Sequence, residues 1–425
     1  MKYYLDNFRG FQDTCVDLRD VNFLVGENSS GKTSLINALT IMSYYRFWTE
    51  AVITDEIEFK SFSDLHSVNA TRDYFTLGSI NNDKTIHVYS FTNDDGLANG
   101  FREIIYTGDH ELCIMARKPK KILAYFDTSF IVKMNDKSLS ELLDYADSID
   151  KKNEWNVDGL YYGSDVLVPF YEIRTVLRSK KEGSFPVDFF TKAGMDTFSI
   201  ESSTFLAPIR AKPQAIYSGG KKSFSAEGNH IPFTIKELLS DKEFYPVHIK
   251  EMLNDYGKES GLFDSLDVKR FGDNKTDPFE LLIKKDKSNY KISLVGYGVS
   301  QILPIIMEML QLKSGLFSIQ QPEVHLHPKA QSAFGGFLYK AARREAETFF
   351  VVETHSDYII DRFRYQMKES ENKVPAQVLF FKNDGAHNII TPIEIKNDGK
   401  YDTESEAFED FRSFFIDESF RVMEI

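Results

Sequence analysis

One octapeptide constrains this chain more than anything else in it. Gly26-Glu27-Asn28-Ser29-Ser30-Gly31-Lys32-Thr33, followed by Ser34, lies without a gap between the apolar run Val21–Val25 and an amphipathic stretch from Thr33 to Tyr45. Strand, glycine turn and helix form the context in which G-x-x-x-x-G-K-[ST] holds phosphate. Gly26 and Gly31 let the backbone wrap so that successive N–H groups face the anion, and Glu27, Asn28, Ser29, Ser30 and Ser34 complete the expected cradle. The helix opening at Thr33 adds its positive end. Lys32 is expected on the β- and γ-phosphates of ATP, and the Thr33 hydroxyl on Mg²⁺.

The last third alternates regularly. It reads as strand 290–295, helix 300–313, strand 315–320, a helix from Pro328, strand 348–353, helix 356–369, and strands 376–382 and 388–395. Such alternation predicts an α/β sheet covered on both faces. Strands are also expected within 2–25, at 85–91 and 122–134 and at the start of 203–217, with helix between 233 and 256. From 136 to 195 the pattern turns helical and irregular, with Leu139, Leu142, Leu143 and Ala146 at helical spacing. The expected division is an N-terminal lobe at 1–115, a mainly helical insertion at 116–200, a C-terminal lobe at 201–395 and an acidic, aromatic tail at 396–425.

Three later segments bear on chemistry. Gly296-Tyr297-Gly298-Val299-Ser300-Gln301-Ile302-Leu303-Pro304 places small residues and a serine at a helix start, where a hydroxyl and N–H groups can meet an anion. Phe317-Ser318-Ile319-Gln320-Gln321-Pro322-Glu323-Val324-His325-Leu326-His327-Pro328 leaves a strand. Phe349-Phe350-Val351-Val352-Glu353-Thr354-His355-Ser356-Asp357 ends another with a histidine. With Asn7-Phe8-Arg9-Gly10-Phe11 ahead of the phosphate loop, this ordered set resembles the ABC-type ATPases related to RecF, SMC and OLD proteins. The resemblance covers residues 1–115 and 201–425.

The resemblance implies an α/β fold, an ABC-type P-loop ATPase head with a mixed sheet and flanking helices, here carrying a mainly helical insertion. It also implies roles. Gly298 and Ser300 would contact the γ-phosphate held by the phosphate loop of a second subunit. His325 and His327 would lie in the loop at the dimer seam, and His355 would sense the γ-phosphate. A His-x-His pair can also bind zinc, but these two lack helical spacing and a nearby cysteine.

The chain departs from the group at one place. Many relatives read Glu-Glu-Pro or Glu-Gln-Pro where this sequence has Gln320-Gln321-Pro322, followed by Glu323. A glutamine can contact Mg²⁺, partly through water, but cannot take a proton. Gln320, Gln321, Glu323 and His355 are therefore the catalytic candidates, with Thr33 and Gln320 facing the metal. Three explanations stay open: Glu323 serves as base, hydrolysis is slow and the head is an ATP-gated clamp, or a glutamine is an engineered trap. Slow hydrolysis is the expectation.

A net charge of −13 disfavours a protein coated in nucleic acid, and the short clusters Lys118/Lys120/Lys121, Lys221/Lys222 and Lys284/Lys285/Lys287 lack interleaved aromatics. No apolar run approaches membrane-spanning length, Met1–Asp6 reads as a strand rather than a signal peptide, and two cysteines suit a reducing cytoplasm. Sustained heptads are absent from the middle, and the residues after His355 are too few for an appended Toprim nuclease. Within the group, stand-alone heads of this length look like ATPase subunits of bacterial two-component phage-defence systems, PARIS first and Septu second. That likeness implies a homodimer or a higher oligomer of dimers, a separate effector (a Toprim-type nuclease or toxin) and a phage trigger protein. The alternative is a RecF-like repair ATPase that binds DNA directly, which the charge disfavours.

Overall fold

The computed structural model describes residues 2–43, 61–81, 84–107, 111–118, 121–131, 138–155, 157–161, 203–240, 247–312, 314–344, 347–405 and 407–416. The fold is α/β, with mixed sheets and flanking helices. It resolves into two compact units: Met1–Leu18, Glu27–Ser202 and Phe381–Ile390 form one, and Arg19–Gly26, Ser203–Phe380 and Thr391–Ile425 the other.

The first unit is built on β1 (Lys2–Asp6) and β2 (Thr14–Asp17) and, past β3 (Val21–Gly26) of the other unit, on β4 (Phe75–Ile80), β5 (Ile86–Asp94), β6 (Leu97–Tyr106), β7 (Leu112–Lys118), β8 (Lys121–Asp127) and β9 (Val157–Tyr161). They form one sheet in the order β2-β1-β4-β5-β6-β7-β8-β9, each neighbour antiparallel. Helix α1 (Lys32–Met42) follows the phosphate loop. Helix α2 (Ser138–Lys152) buries Leu139, Leu142, Leu143 and Ala146 against Ile86, Val88, Ile104 and Ile114 of the sheet.

A charged network supplements that apolar seam. The Arg102 guanidinium, only 2% exposed, donates to Asp147 of α2 at 2.6 Å and to the Tyr74 hydroxyl at 2.8 Å. Arg72 donates to Asp144 of α2 and to buried Asp6, both at 2.7 Å. Burial raises the Asp6 carboxyl above its ordinary range, and Arg72 opposes that shift.

The second unit centres on a six-stranded sheet of order β10-β14-β15-β3-β16-β17, from β10 (Ser203–Leu206), β14 (Gly315–Gln320), β15 (Thr348–Glu353), β16 (Ala376–Asn383) and β17 (Asn388–Ile395) around β3. Pairs β10/β14, β14/β15 and β15/β3 are parallel. Every residue of β3 and β14 is buried, which explains their near-continuous apolar runs, since parallel strands are covered on both faces. The polar exception in β3, Asn22, is satisfied: its amide donates to Arg19 O and Phe350 O and its oxygen accepts from Gln377. A small antiparallel sheet of β11 (Ser265–Arg270), β12 (Phe279–Lys285) and β13 (Ser288–Lys291) lies in the same unit. Its helices are α3 (Ile231–Ser240), α4 (Val247–Ser260), α5 (Tyr297–Gln311), α6 (Pro328–Arg344) and α7 (Asp357–Glu369). Ser356 caps α7 by accepting from Ile359 N–H, and Pro328 opens α6, where a missing N–H costs nothing.

Several boundaries differ from the sequence expectation. The strand expected at 290–295 is β13 plus one 3-10 turn, Ile292–Leu294, and α5 begins at Tyr297 rather than 300 because Gly296 takes the cap position. The stretch 233–256 is two helices, and the strand expected at 122–134 ends at Asp127. Of the insertion expected at 116–200, the described part holds the end of β7, β8, α2 and β9, and 162–202 lie outside the described residues. The tail shows a helical turn, Phe408–Phe411, running into the π-helical Arg412–Ile416, and its residues 417–425 also lie outside. No helix among the described residues is long and apolar enough to cross a membrane.

Candidate functional site

The phosphate loop runs from the tip of β3 to the first turn of α1. Its backbone takes the shape an anion cradle needs: Ser29 (φ 63°) and Gly31 (φ 99°) are left-handed within one tight turn. That conformation gathers N–H groups into a nest. The ladder of α1 opens with Leu35 N–H on Gly31 O, so the N–H groups of Lys32, Thr33 and Ser34 are those the helix start presents to an anion. The loop is internally braced, since Ser30 Oγ and Lys32 Nζ both donate to Glu27 O, at 2.7 and 2.6 Å. Glu27, Asn28, Ser29 and Thr33 are exposed, whereas Lys32 is buried. Arg9 Nε donates to Ser34 Oγ at 3.0 Å.

Gly31 has a second reason to be glycine. A Cβ there would stand 2.7 Å from both Asn388 Nδ2 and Phe11 Cζ. Asn388 is itself fixed, donating to Arg9 O and accepting from Asn383 Nδ2. The loop is thus backed by a residue from the far end of the chain that the sequence did not single out.

The strand tips of the second unit carry the other candidates. Gln320 ends β14 and is in register with Glu353, which ends β15, and Gln320 Nε2 donates to Glu353 Oε2 at 3.0 Å. Both are buried. Gln321 follows in a left-handed conformation (φ 43°), with its N–H on Glu353 O. Both oxygens of Glu323 are engaged: Oε2 accepts from Thr354 Oγ1 and Oε1 from His355 N–H, each at 2.8 Å. Glu323 therefore holds the loop that carries His355, whose side chain is exposed. Gln331 on α6 braces the same region, donating to Leu326 O and accepting from Ser356 Oγ.

Beneath these tips lies Arg210, 3% exposed. Its guanidinium donates to Gln320 O at 2.6 Å and lies near Gln321 O at 3.4 Å. Burial pulls its pKa down to about 10, and the Glu323 charge works against that shift. Its backbone N–H and carbonyl both meet the Gln301 side chain of α5. Arg210, Gln331 and Glu353 are residues of this region that sequence reasoning passed over. Glu353 had a signal, a carboxylate closing an apolar strand.

The helix-start motif is arranged differently from expectation. Ser300 stands at the fourth position of α5, is buried, and turns its hydroxyl onto Tyr297 O at 2.8 Å. The exposed groups at the helix start are Gly296 and Tyr297, with Gly298 half-buried. Gly298 packs so closely on the H-L-H-P turn that a Cβ would stand 2.8 Å from His325 O, and the Tyr297 and His325 rings lie 5.7 Å apart. His325 and His327 are exposed, and the His327 carbonyl and ring accept from the first N–H groups of α6.

The family model described as AAA ATPase domain matches residues 1–162 and 211–360, which hold the phosphate loop, the α5 start, both strand tips and His355. The chain belongs to the AAA ATPase domain family. This AAA ATPase domain is similar in structure to the SMC head domain from Thermotoga maritima, at 14% identity and a TM-score of 0.37 over 93% of this chain and 98% of that one. It is also similar to the Smc head domain with an extended coiled coil bound to the C-terminal domain of ScpA derived from Pyrococcus furiosus, at 10% identity and a TM-score of 0.40 over 92% and 96%. No curated protein matches the chain. The left-handed turn, the glycine with no room for a Cβ and the buried lysine fit the triphosphate of ATP, and the exposed Thr33 hydroxyl suits the accompanying Mg²⁺.

Proposed function

We propose that this AAA ATPase domain is an ABC-type head that binds Mg²⁺–ATP, hydrolyses it slowly, and closes as a dimer around nucleotide to act as a gated scaffold. In this reading Lys32 and the loop N–H groups hold the β- and γ-phosphates, and Thr33 faces the metal. The start of α5, around Gly298, meets the γ-phosphate of a second subunit, and His355 senses it. The scaffold holds a separate effector, a Toprim-type nuclease or toxin, and a phage protein triggers its release.

The observation that carries the reading is an intact phosphate loop combined with an amide at the tip of β14. Gln320 cannot accept a proton, and both oxygens of Glu323 already accept hydrogen bonds from Thr354 and His355. Binding without fast turnover suits a stored state better than continuous work. One lysine of each short cluster is ion-paired, Lys118 with Asp150, Lys221 with Glu237 and Lys284 with Asp267, and the net charge of −13 disfavours direct DNA binding.

Turnover is expected below about 1 s⁻¹ at 25 °C, under the usual enzyme range. A rate of tens per second that disappears in Lys32→Ala would overturn the slow-gate reading. Native mass spectrometry of the protein, purified with Mg²⁺–ATP from a host carrying its neighbouring genes, tests the scaffold. A second protein at fixed stoichiometry, lost in Lys32→Ala, supports it, whereas a bare dimer retaining DNA points to a RecF-like repair role.

A further inference from the structure

We infer that the pocket between α5 and the segment 211–230 takes one leucine-sized aliphatic side chain, presented beside carboxylates by a partner protein. This rests on the scaffold reading above, in which a separate protein is held, and names the chemistry of that contact.

The pocket lies wholly within the second unit. Its apolar walls are Ile231 and Ile235 of α3, Leu281 of β12, Ile292, and Leu303 and Pro304 of α5. Its volume is about 40 Å³. At roughly 10–15 Å³ for each water-sized group, that is room for about three or four of them. The branched end of a leucine or isoleucine fits such a space, and a nucleotide does not.

The walls are fixed before anything binds. Tyr217, which lines the pocket, exchanges two backbone hydrogen bonds with Phe279, both at 2.9 Å. Ala211 N–H donates to Glu227 O at 2.9 Å. His230 accepts Ser225 N–H at Nδ1, so its Nε2 donates to Glu308 of α5, at 2.6 Å. Gly228 presses so closely on α5 that a Cβ would stand 2.6 Å from Pro304 Cγ. A pocket already ordered is what an anchor side chain needs, since little is lost on binding.

Two observations select an acidic protein segment as the occupant. The charged residues lining the pocket are Lys212 and Lys222, and no carboxylate lines it. Lys222 lies over the Phe233 ring at 5.1 Å, and among the described residues neither lysine is ion-paired, whereas the adjacent Lys221 is held by Glu237. On a chain of net charge −13, two unpaired cations at an apolar pocket are a local reversal that an acidic segment complements. Close in sequence to the lining residues, Ile216, Phe224 and Leu294 are exposed. Apolar groups outside a socket add contact for a protein and none for a small molecule seated within it.

The test is fluorescence anisotropy of a labelled pentapeptide, Glu-Asp-Leu-Asp-Glu, titrated with full-length protein at low salt. Wild type should bind it. The same peptide with alanine in place of leucine should bind about 50-fold more weakly, the transfer cost of three buried methyl or methylene groups. The exposed double variant Lys212→Glu/Lys222→Glu should weaken binding of the leucine peptide by about 10-fold, a difference that added salt erases. Ala211→Leu, which fills the pocket from its own wall, should bind neither peptide. Failure of wild type to bind the leucine peptide would sink the assignment. So would equal affinity for the leucine and alanine peptides, or for a version with glutamine and asparagine in place of the acids. Undiminished binding by Ala211→Leu would place the contact elsewhere. Wild-type self-association that disappears in Ala211→Leu would give the pocket to a second copy of this chain instead. Each of these outcomes removes the docking site alone; the scaffold reading falls only if no second protein co-purifies, which native mass spectrometry reports separately.

Discussion

Gly31→Ala is expected to weaken ATP binding by more than about 100-fold, a loss of some 2.7 kcal/mol. Two costs combine. An L-residue held at φ 99° carries roughly 1–2 kcal/mol of backbone strain. The new Cβ would also stand 2.7 Å from Asn388 Nδ2 and from Phe11 Cζ. Phe11 is fully buried and Asn388 is held at both ends of its amide, so the loop must move instead of its neighbours. Because one of the two collisions belongs to Asn388, the double variant Gly31→Ala/Asn388→Ala should recover part of the affinity. Titration of both variants with a fluorescent ATP analogue checks this. Wild-type affinity in the single variant would mean that the backing of the loop is irrelevant to binding.

Arg210→Met should destabilise the protein by roughly 2–4 kcal/mol, the cost of leaving buried carbonyls without a donor. The methionine fills most of the space but cannot donate to Gln320 O or reach Gln321 O. It also removes the buried cation on which the Glu323 charge acts. Part of this cost is offset, because the native cation is itself disfavoured by burial, as its lowered pKa indicates. The net sign is still destabilising, since truncating one side of a buried polar network usually costs more than desolvating the whole. Urea denaturation of wild type, Arg210→Met and Arg210→Lys would read it. Lysine should recover only part, having one donor head where the guanidinium reaches two carbonyls. A midpoint unchanged in Arg210→Met would refute the structural role.

What the sequence revealed, it revealed where the determinants are local. The phosphate loop is a contiguous run whose glycines announce a left-handed turn. β3, β14 and β15 stand out because burial on both faces forces unbroken apolar stretches. Helix α2 was visible through Leu139, Leu142, Leu143 and Ala146, which share one face at helical spacing. The rest depends on register and long-range packing. Glu353 matters because of its neighbours Gln320 and Leu24 across two strand pairings, and no local pattern encodes which strands lie side by side. Arg210 looks like any arginine after a loop until its burial is known. The role expected of Ser300 is a contact with the γ-phosphate held by a second subunit; within this chain α5 starts at Tyr297 and the Ser300 hydroxyl donates to Tyr297 O.

The contact between α2 and its sheet has a further consequence. If α2 lifted away, Arg102 would lose its carboxylate partner, and the apolar face of β5, β6 and β7 would meet water. Opening there is therefore all-or-none, and the backbone amides of α2 should exchange with deuterium in step with those of β5–β7 rather than fray first as a surface helix would. The start of the expected insertion is in that sense part of the frame: a pull exerted on the chain beyond α2 is borne by the whole sheet.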